Sequence, residues 1–166
     1  MSVLPGSKLI TLAEARVLSK GMRIAGKRVV VANGAFDMLH VGHVRYLAAA
    51  RALGDVLFVA LNSDLSVRES KGPLRPVVPE GERAEILSHL DCVDWIVMFD
   101  EPTVAEVLRA LKPHVHAKGT DYTVDTVPER ETAREVGAMV AIAGPPKDHS
   151  TQALLERIRA SADAHR

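Results

Sequence analysis

The sequence predicts an α/β fold in which a parallel sheet of about five strands carries helices on both faces. Two observations lead to it. Short apolar runs without polar alternation recur at 28–32, 55–62, 93–99, 114–117 and 137–143, and such runs suit strands buried on both sides. Between them lie longer stretches with helical spacing or capping chemistry, so strand and helix alternate about five times, as in βαβ units. Of the 166 residues, 47% are hydrophobic and 25% are charged. That balance excludes global disorder and fits one domain with its own core.

Residues 1–10 read as a loose lead-in. Thr11, with Glu14 three positions on, forms a capping box that opens a peripheral first helix ending near Gly21 or Gly26. The first strand, 28–32, is too short and too β-branched for a helix. It runs through Asn33-Gly34-Ala35-Phe36-Asp37-Met38-Leu39-His40-Val41-Gly42-His43 into a helix with Val44, Leu47 and Ala48 at its apolar positions and a stop at Gly54. The second strand, 55–62, ends at Asn62-Ser63-Asp64. From 64 to 80 the apolar periodicity lapses among Gly72, Pro73, Pro76 and Pro79, which predicts a long basic loop able to serve as a lid.

A helix over 80–90 follows, with Ile86, Leu87 and Leu90 on one face. Then come the third strand (93–99), a helix over 103–111 stopped by Pro113, and the short fourth strand (114–117). A polar helix over 128–136, the fifth strand (137–143) and a last helix with Ser150 or Thr151 as N-cap and Leu154, Leu155 and Ile158 as apolar positions complete the chain. The whole of 1–166 reads as a single domain, with 1–26 as the peripheral helical part and 27–160 as the core.

Lysine plus arginine and aspartate plus glutamate number 21 each. A neutral chain has no bulk field for nucleic acid or an anionic membrane, so any phosphate binding must be local. No apolar run approaches the roughly 18 residues a membrane span needs, and no leader is visible, so a cytoplasmic protein is expected. The single cysteine, Cys92, excludes an internal disulfide and reads as a small buried hydrophobe.

In an open parallel sheet, ligands bind beyond the carboxyl ends of the strands. The candidate residues lie there, in 34–43, 62–83, 118–122 and 147–151. His40 and His43, three apart, would share a helix face, with Gly42 allowing close backbone approach. Two imidazoles plus the amides of a helix N-terminus can bind phosphate oxygens and stabilise a phosphoryl group in transfer. A structural or surface pair of histidines and a zinc site stay open as alternatives, although zinc needs three or four ligands and neither CxxC nor HExxH occurs. Lys71, Arg75 and Arg83 are cations able to grip phosphates. Gly119 and Asp121, in Lys118-Gly119-Thr120-Asp121-Tyr122, suit a ligand-binding turn or an ordinary one. Ser150 and Thr151 suit a helix cap or a phosphate site. His114 and His116 read as structural or pocket-lining. The absence of GxxxxGK[ST], GxGxxG and GxSxG argues against a P-loop ATPase, a standard dinucleotide site and a serine hydrolase.

The stretch from Gly34 to His43 resembles the first motif of the HxGH nucleotidyltransferases, G-x-F-D-x-x-H-x-G-H. Residues 33–64, Lys71-Gly72 with Arg75-Pro76-Val77, Val93-Asp94-Trp95 and Lys118-Gly119-Thr120-Asp121-Tyr122 resemble the heptose-1-phosphate adenylyltransferases, over about 8–158. The resemblance implies a Rossmann-like doubly wound sheet. It also implies Mg²⁺-dependent attack of a sugar-phosphate oxygen on the α-phosphorus of ATP or CTP, with pyrophosphate leaving. His40, His43, Lys71 and Arg83 would be catalytic, the last two neutralising phosphate charge. Asn33, Gly34, Ala35, Phe36, Asp37, Gly42, Asn62, Asp64, Lys118, Gly119, Asp121, Ser150 and Thr151 would bind the nucleotide, with Asp37 supporting the histidine turn. No metal-binding side chain is implied, since Mg²⁺ would ride on the triphosphate, and a homodimer follows only from family habit.

Two departures stand out. The family's last motif reads Ser-Thr-Thr or Ser-Thr-x-x-Arg, whereas His149-Ser150-Thr151-Gln152 stands here, with Lys147 or His149 available as a substitute cation. Lys-Gly-Gly-Asp-Tyr is Lys118-Gly119-Thr120-Asp121-Tyr122. The acidic-basic Val127-Pro128-Glu129-Arg130-Glu131 follows it, so these departures leave room for an acceptor other than heptose 1-phosphate. From the resemblance as a whole the acceptor is expected to be a sugar phosphate, heptose 1-phosphate first. A cytidylyltransferase acting on glycerol phosphate or another polyol phosphate, and a nucleotide-binding module without turnover, are the alternatives.

Overall fold

A computed structural model of the chain describes residues 7–146 and 149–163. In chain order its elements are β1 (Leu9–Ile10), α1 (Leu12–Ile24), β2 (Val29–Gly34), α2 (Val41–Arg51), β3 (Val56–Asn62), α3 (Asp64–Lys71), α4 (Glu80–Ser88), β4 (Trp95–Phe99), α5 (Ala105–Leu111), β5 (Val115–Lys118), α6 (Arg130–Val136), β6 (Met139–Ile142) and α7 (Thr151–Asp163). The strands form one sheet in the order β1-β4-β3-β2-β5-β6, and every pairing is parallel.

Side chains alternate across a strand, and here both faces are buried, which is why the runs are apolar without a break. Val30, Ala32, Leu57, Val59 and Leu61 meet Leu47 and Ala50 of α2 and Ala84 and Leu87 of α4. Val29, Val31, Phe58 and Ala60 meet Ala15 of α1 and Val107, Leu108 and Leu111 of α5 on the other side. Leu47, fully buried, anchors the helix that follows the histidine turn. Truncation of such a side chain to alanine costs about 2–5 kcal/mol.

The chain steps from β2 outward to β3 and β4, then crosses back to lay β5 on the opposite side of β2. That reversal opens a crevice between β2 and β5 at their carboxyl ends.

Several expectations are corrected in detail. The sheet has six strands among the described residues, because Leu9–Ile10, within the expected lead-in, pairs with β4 at Ile96 and Val97. A two-residue edge strand has too little pattern to be read from sequence. The expected loop over 64–80 begins as α3. This helix buries only Val67 as an apolar side chain. Its support comes from the Ser63 hydroxyl accepting the Ser66 N–H at 3.2 Å, Asp64 in its first turn and Lys71 in its last, features that leave little apolar pattern to read. It stops at Gly72, whose φ of 96° suits a residue without Cβ.

On α2 the buried positions are Leu47 and Ala50, while Val44 is exposed. On α4 they are Arg83, Ala84, Leu87 and Ser88, with Ile86 outside. His116 is fully buried in β5, while His114 precedes the strand, exposed, its Nδ1 accepting the Val29 N–H at 2.9 Å. Cys92 is half-buried. The capping box of α1 is as read: Thr11 Oγ1 accepts the Glu14 N–H at 3.2 Å and Glu14 Oε2 accepts the Thr11 N–H at 2.8 Å.

Candidate active site

A cavity of about 650 Å³ opens at the carboxyl edge of the sheet. It is lined from β2 and the turn after it by Asn33, Gly34, Ala35, Phe36, Asp37, His40, Gly42 and His43, and from β3 and α3 by Asn62 and Lys71. The far side supplies Lys118, Gly119, Asp121, Ser150 and Thr151. The loops that the sequence places at separate strand ends thus meet in one crevice. Arg75, Tyr46, Thr120, Tyr122, His149 and Gln152 also line it. Lys147 lies outside the described residues.

The histidine turn is built by the chain's own backbone. His40 is the N-cap of α2 and its Nδ1 accepts the Gly42 N–H at 3.1 Å, while His43 Nδ1 accepts the His40 N–H at 3.3 Å. This reproduces the reciprocal geometry of a capping box with two imidazoles in place of hydroxyl and carboxylate. A backbone N–H only donates, so each Nδ1 carries a lone pair and a neutral ring holds its hydrogen on Nε2. The rings stack with centroids 3.9 Å apart, and Phe36 backs His43 edge-on at 5.4 Å. Within the same turn Phe36 and Met38 have left-handed φ values of 48° and 54°. Such backbone costs of order 1–3 kcal/mol per residue and persists where surrounding contacts hold it.

Asp37 provides much of that hold. Its buried carboxylate accepts Arg75 Nε at 2.7 Å and the Val77 and Val78 N–H groups at 3.0 Å. Burial alone would raise its pKa, but the two amides and Arg75 outweigh it and keep the carboxyl below its ordinary value. The Asp37 carbonyl accepts the Thr151 hydroxyl at 2.8 Å, so the start of α7 is tied to the turn, and Ser150 Oγ caps α7 by accepting the Ala153 N–H at 3.1 Å.

Arg83 and Asp64 do not line the cavity. The Arg83 side chain is 1% exposed. It donates to the carbonyls of Val78 (2.9 Å), Ala35 (2.6 Å) and Asn62 (2.7 Å) and to Asp64 Oδ1 (2.8 Å). Its charge is spent on carbonyls at the carboxyl ends of β2 and β3, which places it beneath the site as a clamp. From the sequence Arg83 reads as a cation for the phosphates, since nothing local shows it buried. Only the packing of α4 turns it inward.

On the opposite wall, Lys118 Nζ donates to Asn33 Oδ1 at 3.3 Å, lies 3.6 Å from Glu129 Oε2 and sits 4.6 Å over the Tyr122 ring. Burial lowers the Lys118 pKa, and Glu129 opposes that fall. Glu129, itself buried, is a functional candidate the sequence reading missed. It stands eleven residues beyond Lys118, at the start of the polar helix expected over 128–136, with no motif to single it out. Thr120, where the family pattern has glycine, donates to the Pro145 carbonyl at 3.0 Å and straps the 118–122 turn to the turn after β6.

Among the described residues no three of His, Cys, Asp and Glu converge to hold a metal ion. The carboxylates lining the cavity are Asp37, engaged as above, and Asp121. That donor set fits a divalent ion arriving on a triphosphate rather than one caged by side chains. No described helix is long and apolar enough to cross a membrane.

A family model described as cytidylyltransferase-like matches residues 31–162. Among curated relatives, the bifunctional protein HldE of Pelobacter propionicus is 49% identical over 142 residues, 86% of this chain and 29% of that protein. HldE of Geotalea uraniireducens is 45% identical over 153 residues, 92% of this chain and 31% of that protein. The chain thus spans under a third of the length of these relatives. Of solved structures, a lipopolysaccharide core biosynthesis protein from Thermoplasma volcanium superposes with a TM-score of 0.62 at 27% identity, covering 74% of this chain and all of that one. Pantoate-beta-alanine ligase from Francisella tularensis, with ATP analogue and beta-alanine, shares the fold at a TM-score of 0.61 and 14% identity, covering 84% of this chain and 67% of that one. The match over most of its length, together with the His40–His43 turn, places the chain in the cytidylyltransferase-like family of nucleotidyltransferases.

Proposed function

We propose that the protein transfers the nucleoside monophosphate of ATP to a sugar 1-phosphate, with heptose 1-phosphate as the first candidate. The observation that carries this reading is the self-capped histidine pair lining the cavity at the N-terminus of α2. Two Nε2–H donors and the helix dipole there favour a phosphate undergoing transfer. In the reaction, an oxygen of the acceptor phosphate forms a bond to the α-phosphorus as the bond to the bridging α–β oxygen breaks. Pyrophosphate leaves with the bonding pair. No proton need move when the acceptor is a phosphate dianion, so charge stabilisation and alignment are the main tasks left to the protein.

His40 and His43 are assigned to the triphosphate, and Lys71 to phosphate charge from the α3 side. Asn33, Gly34, Gly119 and Asp121 are assigned to the nucleotide wall, with Ser150 and Thr151 at the start of α7. Phe36, Asp37, Asp64 and Arg83 hold the turn from behind. Mg²⁺, entering on the triphosphate, would offset its negative charge. The resemblance of residues 33–64 and 118–122 to the heptose-1-phosphate adenylyltransferases supports adenylyl transfer to heptose 1-phosphate.

The test is incubation of the folded protein with Mg²⁺, each nucleoside triphosphate and a panel of sugar 1-phosphates and polyol phosphates, following pyrophosphate. Release with ATP and heptose 1-phosphate is expected. Preference for CTP with glycerol phosphate would replace the substrate assignment, and no release with any pair would defeat the reading.

A further inference from the structure

The wall opposite the histidines contains a chain of polar groups that has more order than a binding surface requires. Asn33 Oδ1 receives two neighbours at once, Lys118 Nζ at 3.3 Å and His116 Nε2 at 3.1 Å. A lysine ammonium only donates, so the Asn33 atom that faces it is the carbonyl oxygen. His116 Nε2, on the same oxygen, must then carry a hydrogen, which leaves Nδ1 as the bare nitrogen. His116 Nδ1 is indeed buried without a hydrogen-bond partner. With its oxygen taken twice, the Asn33 side chain has its Nδ2 group left, and Asn33 lines the cavity.

The whole arrangement depends on Lys118 being charged, and that charge is buried. Glu129 Oε2, at 3.6 Å, is its counter-ion and makes no hydrogen bond of its own. Around Lys118 stand Glu129 at the start of α6, the Tyr122 ring, His116 on its own strand and Asn33 from β2. Tyr46 of α2 donates its hydroxyl to the Ala117 carbonyl at 2.8 Å, and β6 offers only Ile142 and Ala143. Glu129 is the carboxylate paired with the ammonium, and Asp121 stands three residues along the same turn.

We infer that Glu129 and His116 are positioning residues that set the polarity of the Asn33 carboxamide, so that Asn33 presents an N–H₂ donor to an acceptor atom of the bound nucleotide. Glu129 keeps Lys118 cationic. Lys118 and His116 then hold the amide oxygen away from the ligand. A neutral Lys118 gains a lone pair able to accept from the amide, and with His116 in its other tautomer the carboxamide can then turn over, presenting an acceptor where the ligand also offers one. The nucleotide as ligand rests on the proposed function; the polarity of the amide does not.

The experiment begins without ligand. In ¹⁵N-histidine spectra of the whole protein at neutral pH, His116 is expected as the Nε2–H tautomer, uncharged well below pH 5, in keeping with burial and the Lys118 charge pushing its pKa down to about 3. An Nδ1–H tautomer would overturn the inference. Glu129→Gln keeps shape and removes charge, so the alkaline change in the His116 signals should move down by about one pH unit or more. If that variant does not fold, the wild-type spectra still decide through the tautomer, since His116 carrying its hydrogen on Nδ1 would count against the assigned polarity.

Calorimetry with ATP adds the functional arm. Asn33→Asp, which replaces the donor by an oxygen, should weaken binding at least about tenfold at unchanged melting temperature. Unchanged ATP affinity in Asn33→Asp, or a Glu129→Gln pH profile that superposes on wild type, would overturn the inference. Failure of wild-type protein to bind any nucleotide would count against the proposed function, with the tautomer result standing by itself.

Discussion

His43 Nδ1 accepts the backbone N–H of His40 at 3.3 Å while the two imidazoles stack at 3.9 Å, so each histidine fixes the other's place at the mouth of α2. The same side chains serve stability through Nδ1 and, in the proposed reaction, chemistry through Nε2, and the two roles separate in measurement. His43→Ala removes one cap bond, worth about 1 kcal/mol, and one phosphate donor. The expected outcome is a kcat lower by about 10²–10³ with a much smaller change in KM, as for a group acting in the transition state. Steady-state kinetics alongside a thermal melt checks this, and a raised KM at unchanged kcat would contradict it.

Gly42 tests the geometry without touching a functional atom. A Cβ built there would stand 2.9 Å from His40 Cε1 and 3.0 Å from His40 Nδ1. Alanine is a better helix former by up to about 1 kcal/mol, so Gly42→Ala should melt near the wild-type temperature. Its kcat should nevertheless fall by at least about tenfold, because the His40 ring has to leave the position in which it caps the Gly42 amide.

Arg83→Lys and Arg83→Met address the clamp. Four acceptors converge on a side chain that is 1% exposed, and breaking a buried charge cluster costs about 3–5 kcal/mol. Both variants should lose stability of that order in urea melts. Whatever protein remains folded should show a nucleotide KM close to wild type. A normal melt with a raised KM would return Arg83 to the phosphates.

The pH dependence of stability follows from His116. Burial, then the neighbouring Lys118 charge, lowers its folded-state pKa to about 3, against 6.5 for an unperturbed ring. Between those values the unfolded chain binds a proton that the folded protein refuses. Stability from this group is therefore complete above about pH 6.5 and is lost as pH falls toward 3, by at most about 1.4 kcal/mol per pH unit. Asp37, its carboxyl held below the ordinary value, adds a loss of the same sign only at lower pH. Urea melts at pH 7, 6 and 5 should show the decline, and His116→Gln should flatten it.

Much of this protein was legible in its sequence. Unbroken β-branched runs such as Val29, Val30 and Val31 specify strands covered on both sides. Alternating elements specify a parallel sheet, and Gly34 to His43 marks the histidine turn, because local composition decides these features. The crevice position follows from the strand order, which the sequence expectation left general. The rest depends on groups distant in the chain and close in space. Arg83 becomes a clamp because α4 turns it under carbonyls of Ala35 and Asn62, 48 and 21 residues away. Glu129 matters because the loop after β5 returns it to Lys118. α3 exists through caps rather than an apolar stripe. His40 and His43 read as neighbours on a helix face; in the structure they stack, with His40 the cap of that helix and His43 three residues on closing the box. The low dielectric of a buried crevice then gives each of these long-range partners a single protonation and a single orientation.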